Sequence, residues 1–286
     1  MTDTATARPR LTFFFPAYNE EENAAETVQR ALDEIGPMVG GSIEVLIVND
    51  GSTDQTPAIA DDLAAADPRV RVHHQANQGY GGALRSGFTH ARGELIGFSD
   101  GDLQFDLREM SRLVKRLGDA ARPVDAVIGF RIKRRDPPHR IFIAKSYNAI
   151  VSAAFGLRVR DIDCAMKLFR REVFDGLPLD ADSPFLSAEL LIKLRARGTP
   201  MAQVGVNHFP RAAGTNTGAS FRKIMRTFRD IGKLRWALWT RRSHVLGTLP
   251  RRYSAISGLS PLPTTLREVG PSHRQCRTRE DPRRAS

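Results

Sequence analysis

Hydrophobic residues in the first 130 positions alternate between short apolar runs and longer segments with an apolar residue every three or four positions. The short runs predict buried strands, and the longer segments predict amphipathic helices. The predicted strands cover residues 11–15, 43–48, 70–74, 94–99 and 125–129. The predicted helices cover residues 20–35, 54–66, 81–91 and 107–117. Repeated strand–helix units predict an α/β fold, with a mostly parallel sheet flanked by helices on both faces.

The pattern changes after residue 131. Residues 133–140 form a basic segment that contains two prolines. The remaining predicted elements are an apolar helix at 141–155, a helix at 187–197, an extended segment at 201–208 and a basic helix at 220–242. Residues 243–286 are rich in Pro, Arg and Ser and have little apolar periodicity, so we expect a disordered basic tail.

The net charge of +11 is concentrated at the C-terminal end. Residues 1–219 carry 27 basic and 28 acidic side chains, whereas residues 220–242 carry eight basic and one acidic. Nucleic-acid-binding modules carry a basic patch on the folded body, so the neutral body argues against that class. Apolar residues at helical spacing make 220–242 a basic amphipathic helix. Such a helix lies on an anionic membrane surface or packs on the body, and we expect the membrane.

Cysteine usage and hydropathy narrow the class of protein further. The two cysteines, Cys164 and Cys276, are far apart, which argues against a disulfide framework and fits a reducing cytoplasm. No run of 18 apolar residues occurs, so no membrane-spanning helix is predicted. Residues 1–10 are polar and lack the apolar core of a signal peptide, so we expect a flexible leader.

Polar clusters follow five of the predicted strands. They lie at residues 16–21, 49–54, 77–82, 100–104 and 130–131. The carboxyl ends of parallel strands share one edge of a sheet, and ligands bind beyond that edge in open α/β sheets. The five clusters therefore predict one ligand site.

The fourth cluster, Ser-Asp-Gly-Asp-Leu-Gln at residues 99–104, carries metal-site chemistry. Asp100 and Asp102 can reach one divalent cation from the end of a strand, and Gln104 adds a neutral oxygen. Hard cations such as Mg²⁺ and Mn²⁺ prefer oxygen ligands and leave positions for substrate phosphates. Two aspartates at this spacing also occur in ordinary turns. The neighbouring clusters must therefore decide between a metal site and a turn.

The glycine-rich run at residues 77–87 opens a helix and can hold an anion at the helix N-terminus, or can simply form a tight turn. It matches neither the dinucleotide-binding fingerprint nor a P-loop. The first strand–helix turn is acidic and lacks glycine, which argues against a nucleotidyltransferase. Asp54 suits a helix cap, whereas Asp50 suits a hydrogen bond to a nucleobase or ribose as well as a cap.

The motifs, taken in order, resemble those of the family 2 inverting glycosyltransferases. They are P-A-Y-N-E-E, V-N-D-G-S-T-D, N-x-G-x-G-G-A, D-G-D-L-Q and G-F-R, followed by D-C-A-M-K-L-F-R, S-A-E and H-F-P-R-A-A-G. The D-x-D-L-Q form resembles the polyprenyl-phosphate hexosyl synthases more narrowly. The resemblance covers residues 11–242 and implies a GT-A domain at 11–219. It also implies a nucleotide-diphospho-sugar donor.

The resemblance also implies roles for individual residues. The donor-binding residues would be Pro16, Tyr18, Glu20, Asp50, Asp100 and Arg211. The ligands of Mg²⁺ or Mn²⁺ would be Asp100, Asp102 and Gln104. Arg131 and Arg211 would bind phosphate oxygens, and the residues acting in catalysis would be Asp102, Arg131 and Glu189. Family members often carry Ala or Ser at Gly101, so we expect either to be tolerated there.

The acceptor can be argued partly from chemistry. A phosphate monoester has a second pKa of about 6 and is largely anionic at neutral pH, so it needs cations rather than a general base. Suitable cations beside the apolar helix are Arg134, Arg135, Arg140 and Lys145. These residues predict a polyprenyl-phosphate acceptor, although a solvated loop beside a core helix gives the same pattern. Glu189 is a base if the acceptor is a sugar hydroxyl, or a structural residue.

The sequence therefore predicts a metal-dependent hexosyltransferase that acts on polyprenyl phosphate. The C-A-M-K-L-F-R segment favours a UDP-hexose donor over GDP-mannose. The alternatives are a family 2 enzyme with a sugar-hydroxyl acceptor and a catalytically silent nucleotide-sugar-binding protein. We expect the protein in the cytoplasm, peripheral at the inner face of the cell membrane.

Overall fold

One mixed sheet forms the centre of the protein. The computed structural model describes residues 8–132, 138–181, 183–210, 221–240 and 267–268. The strands are β1 (Leu11–Ala17), β2 (Ile43–Asp50), β3 (Val70–Gln75), β4 (Leu95–Phe98), β5 (Ala126–Arg131), β6 (Lys167–Arg170), β7 (Met201–Val206) and β8 (Arg267–Glu268). Their spatial order is β3-β2-β1-β4-β6-β5-β7-β8. All neighbouring strands run parallel except where β6 pairs with β4 and β5, so the predicted α/β fold with a mostly parallel sheet is confirmed.

Helices flank this sheet. The α-helices are α1 (Ala24–Arg30), α2 (Thr56–Ala66), α3 (Gly79–His90), α4 (Met110–Leu117), α5 (Pro138–Phe155), α6 (Leu186–Ala196) and α7 (Phe221–Trp239). The predicted helix at 20–35 begins at Ala24, because the backbone N–H of Glu20 donates to Thr56 Oγ1 at 2.9 Å and is therefore tied to a neighbouring loop. It continues after Arg30 as a π-helix over Ala31–Ile35, which the apolar spacing does not reveal.

The sequence pattern missed strand β6. This four-residue strand lies between β4 and β5 and is antiparallel to both. It begins at Lys167, which is fully buried, and a buried lysine is among the least expected residues in a strand. Because β6 runs the other way, its first residue lies opposite Phe98 at the carboxyl end of β4.

Helix α3 packs unusually close to β1. Phe14 of β1 contacts Phe88 of α3 and Phe98 of β4, with ring centroids 5.1 Å and 5.3 Å apart. A Cβ atom at Gly87 would lie 2.1 Å from the Phe14 ring, so only glycine permits this approach. The packing fixes the start of α3, and with it Tyr80, beside the end of β4.

The ends of the chain bear on three further expectations. Helix α7 buries Ile231 and Leu234 against the body, so part of the apolar face expected in a membrane packs on protein. Within the part of the chain that the structure describes, no helix is both long and apolar enough to cross a membrane. Pro9 and Arg10 of the expected leader accept backbone hydrogen bonds from Glu94 and Leu95. The expected tail at 243–286 lies outside the described residues, apart from β8.

Candidate active site

The loops after β1 and β2 are tied together at the carboxyl edge of the sheet. Asn19 Oδ1 accepts from the backbone N–H of Thr53 at 2.8 Å, and the Asn19 N–H donates to Ser52 Oγ at 3.0 Å. Asn19 has a φ of +55°, a conformation that asparagine tolerates better than most residues. Next to it, Pro16 and Glu20 are partly buried, while the Tyr18 ring stays 39% exposed at the edge of the site.

Asp50 joins the second cluster to the glycine-rich third one. Its carboxylate is buried, and Oδ1 accepts from Gln75 Nε2 at 2.7 Å and from the Gln78 N–H at 2.8 Å. It therefore does not cap helix α2; Asp54 Oδ1 instead accepts from the Thr56 N–H at 3.0 Å at the start of that helix. The contacts hold Asp50 at the edge where a ligand is expected.

Tyr80 supports the first aspartate of the predicted metal site. Its hydroxyl donates to Asp100 Oδ1 at 2.9 Å. Burial and the neighbouring Asp100 charge raise the pKa of Tyr80 well above its ordinary value, so the hydroxyl remains a donor. Burial also raises the pKa of Asp100, against the opposing effects of Tyr80, Lys167 and Arg131. A cation at Asp100 would thus gain a carboxylate that is otherwise short of compensating charge.

The turn after Asp100 is strained and clamped. Leu103 has a φ of +58°, which is uncommon for a residue with a branched side chain. Asp102 Oδ1 accepts from the Gln104 N–H at 3.2 Å and closes the turn. Gln104 then holds Phe209 twice: its Nε2 donates to the Phe209 carbonyl at 3.1 Å, and its carbonyl accepts from the Phe209 N–H at 2.8 Å.

The expectation that Gly101 tolerates alanine or serine is wrong for this chain. A Cβ atom there would lie 2.8 Å from Phe15 Cδ2 and 3.3 Å from the Pro16 carbonyl oxygen. Phe15 is fully buried in the core, so its ring has little room to move. The Gly101 carbonyl is itself held by Thr27 Oγ1 at 3.2 Å. The turn therefore has little freedom to adjust to a side chain.

A buried lysine lies beneath this turn. The Lys167 ammonium donates to the Cys164 carbonyl and lies 5.2 Å from the centroid of the Phe98 ring. Burial lowers the pKa of Lys167, while the charges of Asp163, Asp161 and Asp100 act in the opposite direction. Burial raises the pKa of the Cys164 thiol to about 12, so this cysteine is not a nucleophile. Lys167 lies next to the end of β4, the strand that leads to Asp100.

Arg131, at the end of β5, makes a bidentate ion pair with Asp161. Arg131 Nε lies 2.6 Å from Asp161 Oδ2, and Nη2 lies 2.7 Å from Oδ1. Both side chains are about nine-tenths buried. Burial alone would lower the pKa of Arg131, but the bonds to Asp161 raise it above its ordinary value. The guanidinium stays charged and its orientation is fixed.

A basic cleft opens beside this ion pair, under helix α5. It has a volume of about 330 Å³, and its charged and polar lining includes Arg131, Lys145, Asn148 and Arg160. The Arg160 guanidinium stacks on Phe130 at 4.0 Å from the ring centroid. The outer surface of α5 exposes Phe142, Ile143 and Ile150. These three residues lie on the side of α5 that faces away from the cleft, whereas Ile132 and Ile141 line the cleft and would lie next to a bound anion.

Glu189 takes part in a buried ion pair. It is buried in α6, pairs with Lys193 Nζ at 2.7 Å and accepts from the Ala181 N–H at 2.8 Å. Lys193 also donates to the Pro178 carbonyl at 2.8 Å, so the pair holds the segment before α6. These contacts account for its burial, and its role as a base stays a prediction without support from them.

The structure brings most of the predicted site residues to one edge. Those at the edge are Pro16, Tyr18, Glu20, Asp50, Asp100, Asp102, Gln104 and Arg131, with Lys145 in the adjoining cleft. Arg134, Arg135 and Arg211 lie outside the described residues, as does the side chain of Arg140. Sequence reasoning assigned no role to Tyr80, Arg160, Asp161, Asp163 or Lys167, although D-C-A-M-K was part of the resemblance.

The donor set fits a hard divalent cation. Across the described residues, no group of three or more His, Cys, Asp or Glu side chains is close enough to bind a metal ion. Asp100, Asp102 and the Gln104 amide instead offer two carboxylates and a neutral group. Mg²⁺ is usually bound by one or two carboxylates together with substrate phosphates and water. The residues thus suit a cation shared with a diphosphate.

Comparisons with known proteins agree with this chemistry. Residues 12–177 match the family described as Glycosyl transferase family 2. The chain is 31% identical over 252 residues to Glycosyltransferase AglD of Haloferax volcanii, covering 85% of this chain and 39% of that protein. It is 33% identical over 242 residues to a polyprenol monophosphomannose synthase of Mycolicibacterium smegmatis, covering 78% and 88% respectively. The chain thus spans about two fifths of the first relative and most of the second.

A solved structure shows the same fold. Glucosyl-3-phosphoglycerate synthase from Mycobacterium tuberculosis, in complex with Mn²⁺, uridine diphosphate and glucosyl-3-phosphoglycerate, superimposes with a TM-score of 0.58. The two chains are 22% identical, and the match covers 81% of this chain and 80% of the other. This likeness confirms the GT-A-like fold.

Proposed function

Because this chain belongs to glycosyl transferase family 2, we propose that it transfers a hexose from a nucleotide-diphospho-sugar to polyprenyl phosphate, using a divalent cation. One observation carries the proposal. Arg131 lines the basic cleft and ends β5, and only β6 lies between β5 and the strand that leads to Asp100, so the predicted acceptor and donor sites adjoin. The relative from Mycolicibacterium smegmatis is named for a polyprenol product, which supports the same acceptor class.

On the donor side, residues of the chain would orient the cation and the nucleotide-diphospho-sugar. Asp100 and Asp102 would coordinate Mg²⁺ or Mn²⁺, together with Gln104. Asp50 and Tyr18 would contact the nucleoside of the donor. Tyr80 fixes the Asp100 carboxylate through its 2.9 Å hydrogen bond. When bound, the cation supplies positive charge to the departing diphosphate. Lys167 and Arg131 add fixed positive charge from the protein itself.

On the acceptor side, the chain holds an anion. Lys145 and Arg160 would bind the lipid phosphate, and the apolar side chains of Ile132 and Ile141 in the cleft lining would contact the start of the prenyl chain. A phosphate oxygen then attacks the anomeric carbon, and the bond from that carbon to the nucleoside diphosphate breaks with inversion. The attacking oxygen is already anionic, so no general base is needed and Glu189 can keep its structural ion pair.

A transfer assay tests the proposal. Purified full-length protein with Mn²⁺ or Mg²⁺ is offered labelled UDP-hexoses and GDP-mannose together with polyprenyl phosphate. We expect lipid-extractable label from one donor, with a UDP-hexose favoured. Replacement of Lys145 by alanine should raise the KM for polyprenyl phosphate about tenfold or more and leave the KM for the donor unchanged, since one charge-assisted contact is lost.

Lys115→Ala is the matched control for that variant. Lys115 is an exposed lysine on α4, away from the cleft, so its loss removes the same charge and should leave both KM values unchanged. Absence of lipid label with every donor would refute the acceptor. Label transferred to a sugar alcohol instead would favour a hydroxyl acceptor and reopen the question of a base.

We also propose that α7 brings the protein to an anionic membrane surface, at the inner face of the cell membrane. Trp236 and Trp239 are 57% and 68% exposed, with ring centroids 5.3 Å apart. Tryptophan prefers the boundary between water and lipid, and exposed cations such as Arg229 and Lys233 lie on the same helix. Helix α7 also contacts α5, so the membrane would lie near the acceptor cleft.

The two tryptophans can be tested by sedimentation with vesicles of phosphatidylglycerol. The double replacement Trp236→Ala and Trp239→Ala should weaken binding about tenfold or more, because two large apolar surfaces no longer enter the interface. Tyrosine at both positions should retain most of the binding, since tyrosine also suits that boundary. Equal sedimentation of the wild type and the alanine variant would contradict the assignment.

A further inference from the structure

A second cleft lies at the opposite edge of the sheet. It has a volume of about 580 Å³ and lies at the amino ends of β1, β2 and β3, away from Asp50 and Asp100. Five arginines line it: Arg8, Arg69, Arg71, Arg92 and Arg171. The family motifs do not include these positions, and the transfer reaction makes no use of them.

The one carboxylate among the cleft's lining residues, that of Glu44, is already engaged. Its Oε1 accepts from Arg71 Nη1 at 2.6 Å. Its Oε2 accepts from Thr12 Oγ1 and from the Arg92 N–H at 3.1 Å. Glu44 is also mostly buried, so it does not face the cleft as an accessible negative charge. Five guanidiniums outnumber the two carboxylates that pair with them, those of Glu44 and Asp67, so the cleft carries an excess of positive charge.

Several of the guanidiniums are held in place by the protein. Arg171 Nε donates to the Gly93 carbonyl at 2.7 Å, and its Nη2 donates to the Ala91 carbonyl. Arg69 is bound by Asp67, with Nη2 to Oδ2 at 2.6 Å. Side chains fixed in this way lose little freedom when they bind an anion, and Arg presents a planar fork that matches phosphate oxygens.

Burial and neighbouring charges together shift the pKa values of groups near the cleft. Burial, and next Arg8, lower the pKa of Arg171, although Asp175, Glu44 and Glu172 oppose them. Burial, His90, His74 and Arg71 lower the pKa of His73. His73 stacks on His90 at 3.8 Å, and the His90 carbonyl accepts from Arg71 Nη1. Arg8 and Arg71 thus add to the effect of burial at Arg171 and His73, whereas the Asp67 carboxylate raises the pKa of Arg69.

We propose that this arginine cleft binds a small oligophosphate anion. Its volume falls within the range of small-molecule sites, and several guanidiniums can contact successive phosphate groups at once. A single inorganic phosphate would contact only some of the five arginines. The cleft is separate from the donor site and does not need a metal, because its positive charge comes from arginine.

Isothermal titration calorimetry of the full-length protein with tripolyphosphate tests the proposal. The titration uses EDTA, which prevents metal-mediated binding at Asp100 and Asp102, and about 0.15 M salt, which screens distant charges. We expect one binding site and at least tenfold weaker binding of inorganic phosphate. A parallel titration with ATP distinguishes the two sources of the chemistry: equal affinity assigns the phosphate chain alone, and tighter binding assigns a nucleotide.

The double replacement Arg69→Ala and Arg92→Ala should weaken tripolyphosphate binding at least tenfold. Both side chains are largely exposed, so the fold should persist, which urea unfolding verifies. The double replacement Arg108→Ala and Arg112→Ala removes the same charge from the region of α4 and should change affinity less than twofold. Equal weakening in both doubles, no weakening in either, or no binding by the wild type would overturn the proposal.

Discussion

Asp102→Asn reduces hexosyl transfer by about 10²–10³-fold or more, the range seen when one charged or hydrogen-bonding group that stabilises a transition state is removed. Asparagine keeps the shape of the side chain, and its Oδ1 can still accept from the Gln104 N–H, so the turn remains closed. The variant therefore loses the negative charge at this position and keeps that hydrogen bond. The measurements are the rate of lipid-extractable label and the affinity for Mn²⁺ in the presence of the nucleoside diphosphate.

Asp106→Asn is the matched control for Asp102→Asn. Asp106 Oδ1 accepts from the Arg108 N–H at 3.1 Å, two residues further along the chain, just as Asp102 does from Gln104. It begins the short helix before α4 and is not a predicted metal ligand. We expect near-normal transfer from this variant. Near-normal transfer by Asp102→Asn as well would remove the metal assignment.

Replacement of either Arg131 or Asp161 alone lowers the free energy of unfolding by about 3–5 kcal/mol, because the remaining buried charge loses its bidentate partner. The variants are Arg131→Gln and Asp161→Asn, each measured by urea unfolding. The pair Glu26–Arg30 is the exposed comparison, and Glu26→Gln should cost at most about 1 kcal/mol. A cost as small as this at Asp161 would show that the buried pair is not important for stability.

The double variant separates structure from catalysis. Arg131→Gln combined with Asp161→Asn replaces both charges by neutral amides and should regain much of the lost stability. Transfer should not return, because the variant lacks the Arg131 guanidinium, which we place next to both the departing diphosphate and the acceptor phosphate. Recovery of both stability and transfer would make Arg131 a structural residue.

Sheet topology accounts for the placement of the predicted site residues at one edge, while their roles stay predictions. The carboxyl ends of parallel strands lie at the same edge of a sheet. The polar clusters that follow β1, β2 and β4 therefore lie at one edge. The same rule says nothing about how a side chain from a helix reaches that edge. The contact from Tyr80 to Asp100 depends on the close packing of α3 on β1 that Gly87 permits, which is a tertiary property.

The remaining outcomes have separate physical causes. A strand that begins with a buried lysine contradicts the usual pattern of burial, so β6 and the role of Lys167 were missed together. Glu189 and Lys193 have the i,i+4 spacing of a helical ion pair, which indicates the structural alternative for Glu189, while its role as a base stays a prediction. At Gly101 the family pattern suggested tolerance, but the packing of Phe15 in this chain leaves no room for a Cβ atom.

Strand β6 also affects the order in which the molecule can fold. Strands β1 to β4 adjoin one another and come from the first hundred residues, so they can pair through contacts of moderate sequence separation. The pairing of Phe98 with Lys167 must close a loop of about 70 residues, and such closure is slow because its entropy is lost before the contact forms. The underside of the Asp100 turn is therefore complete only after the later half of the chain has docked.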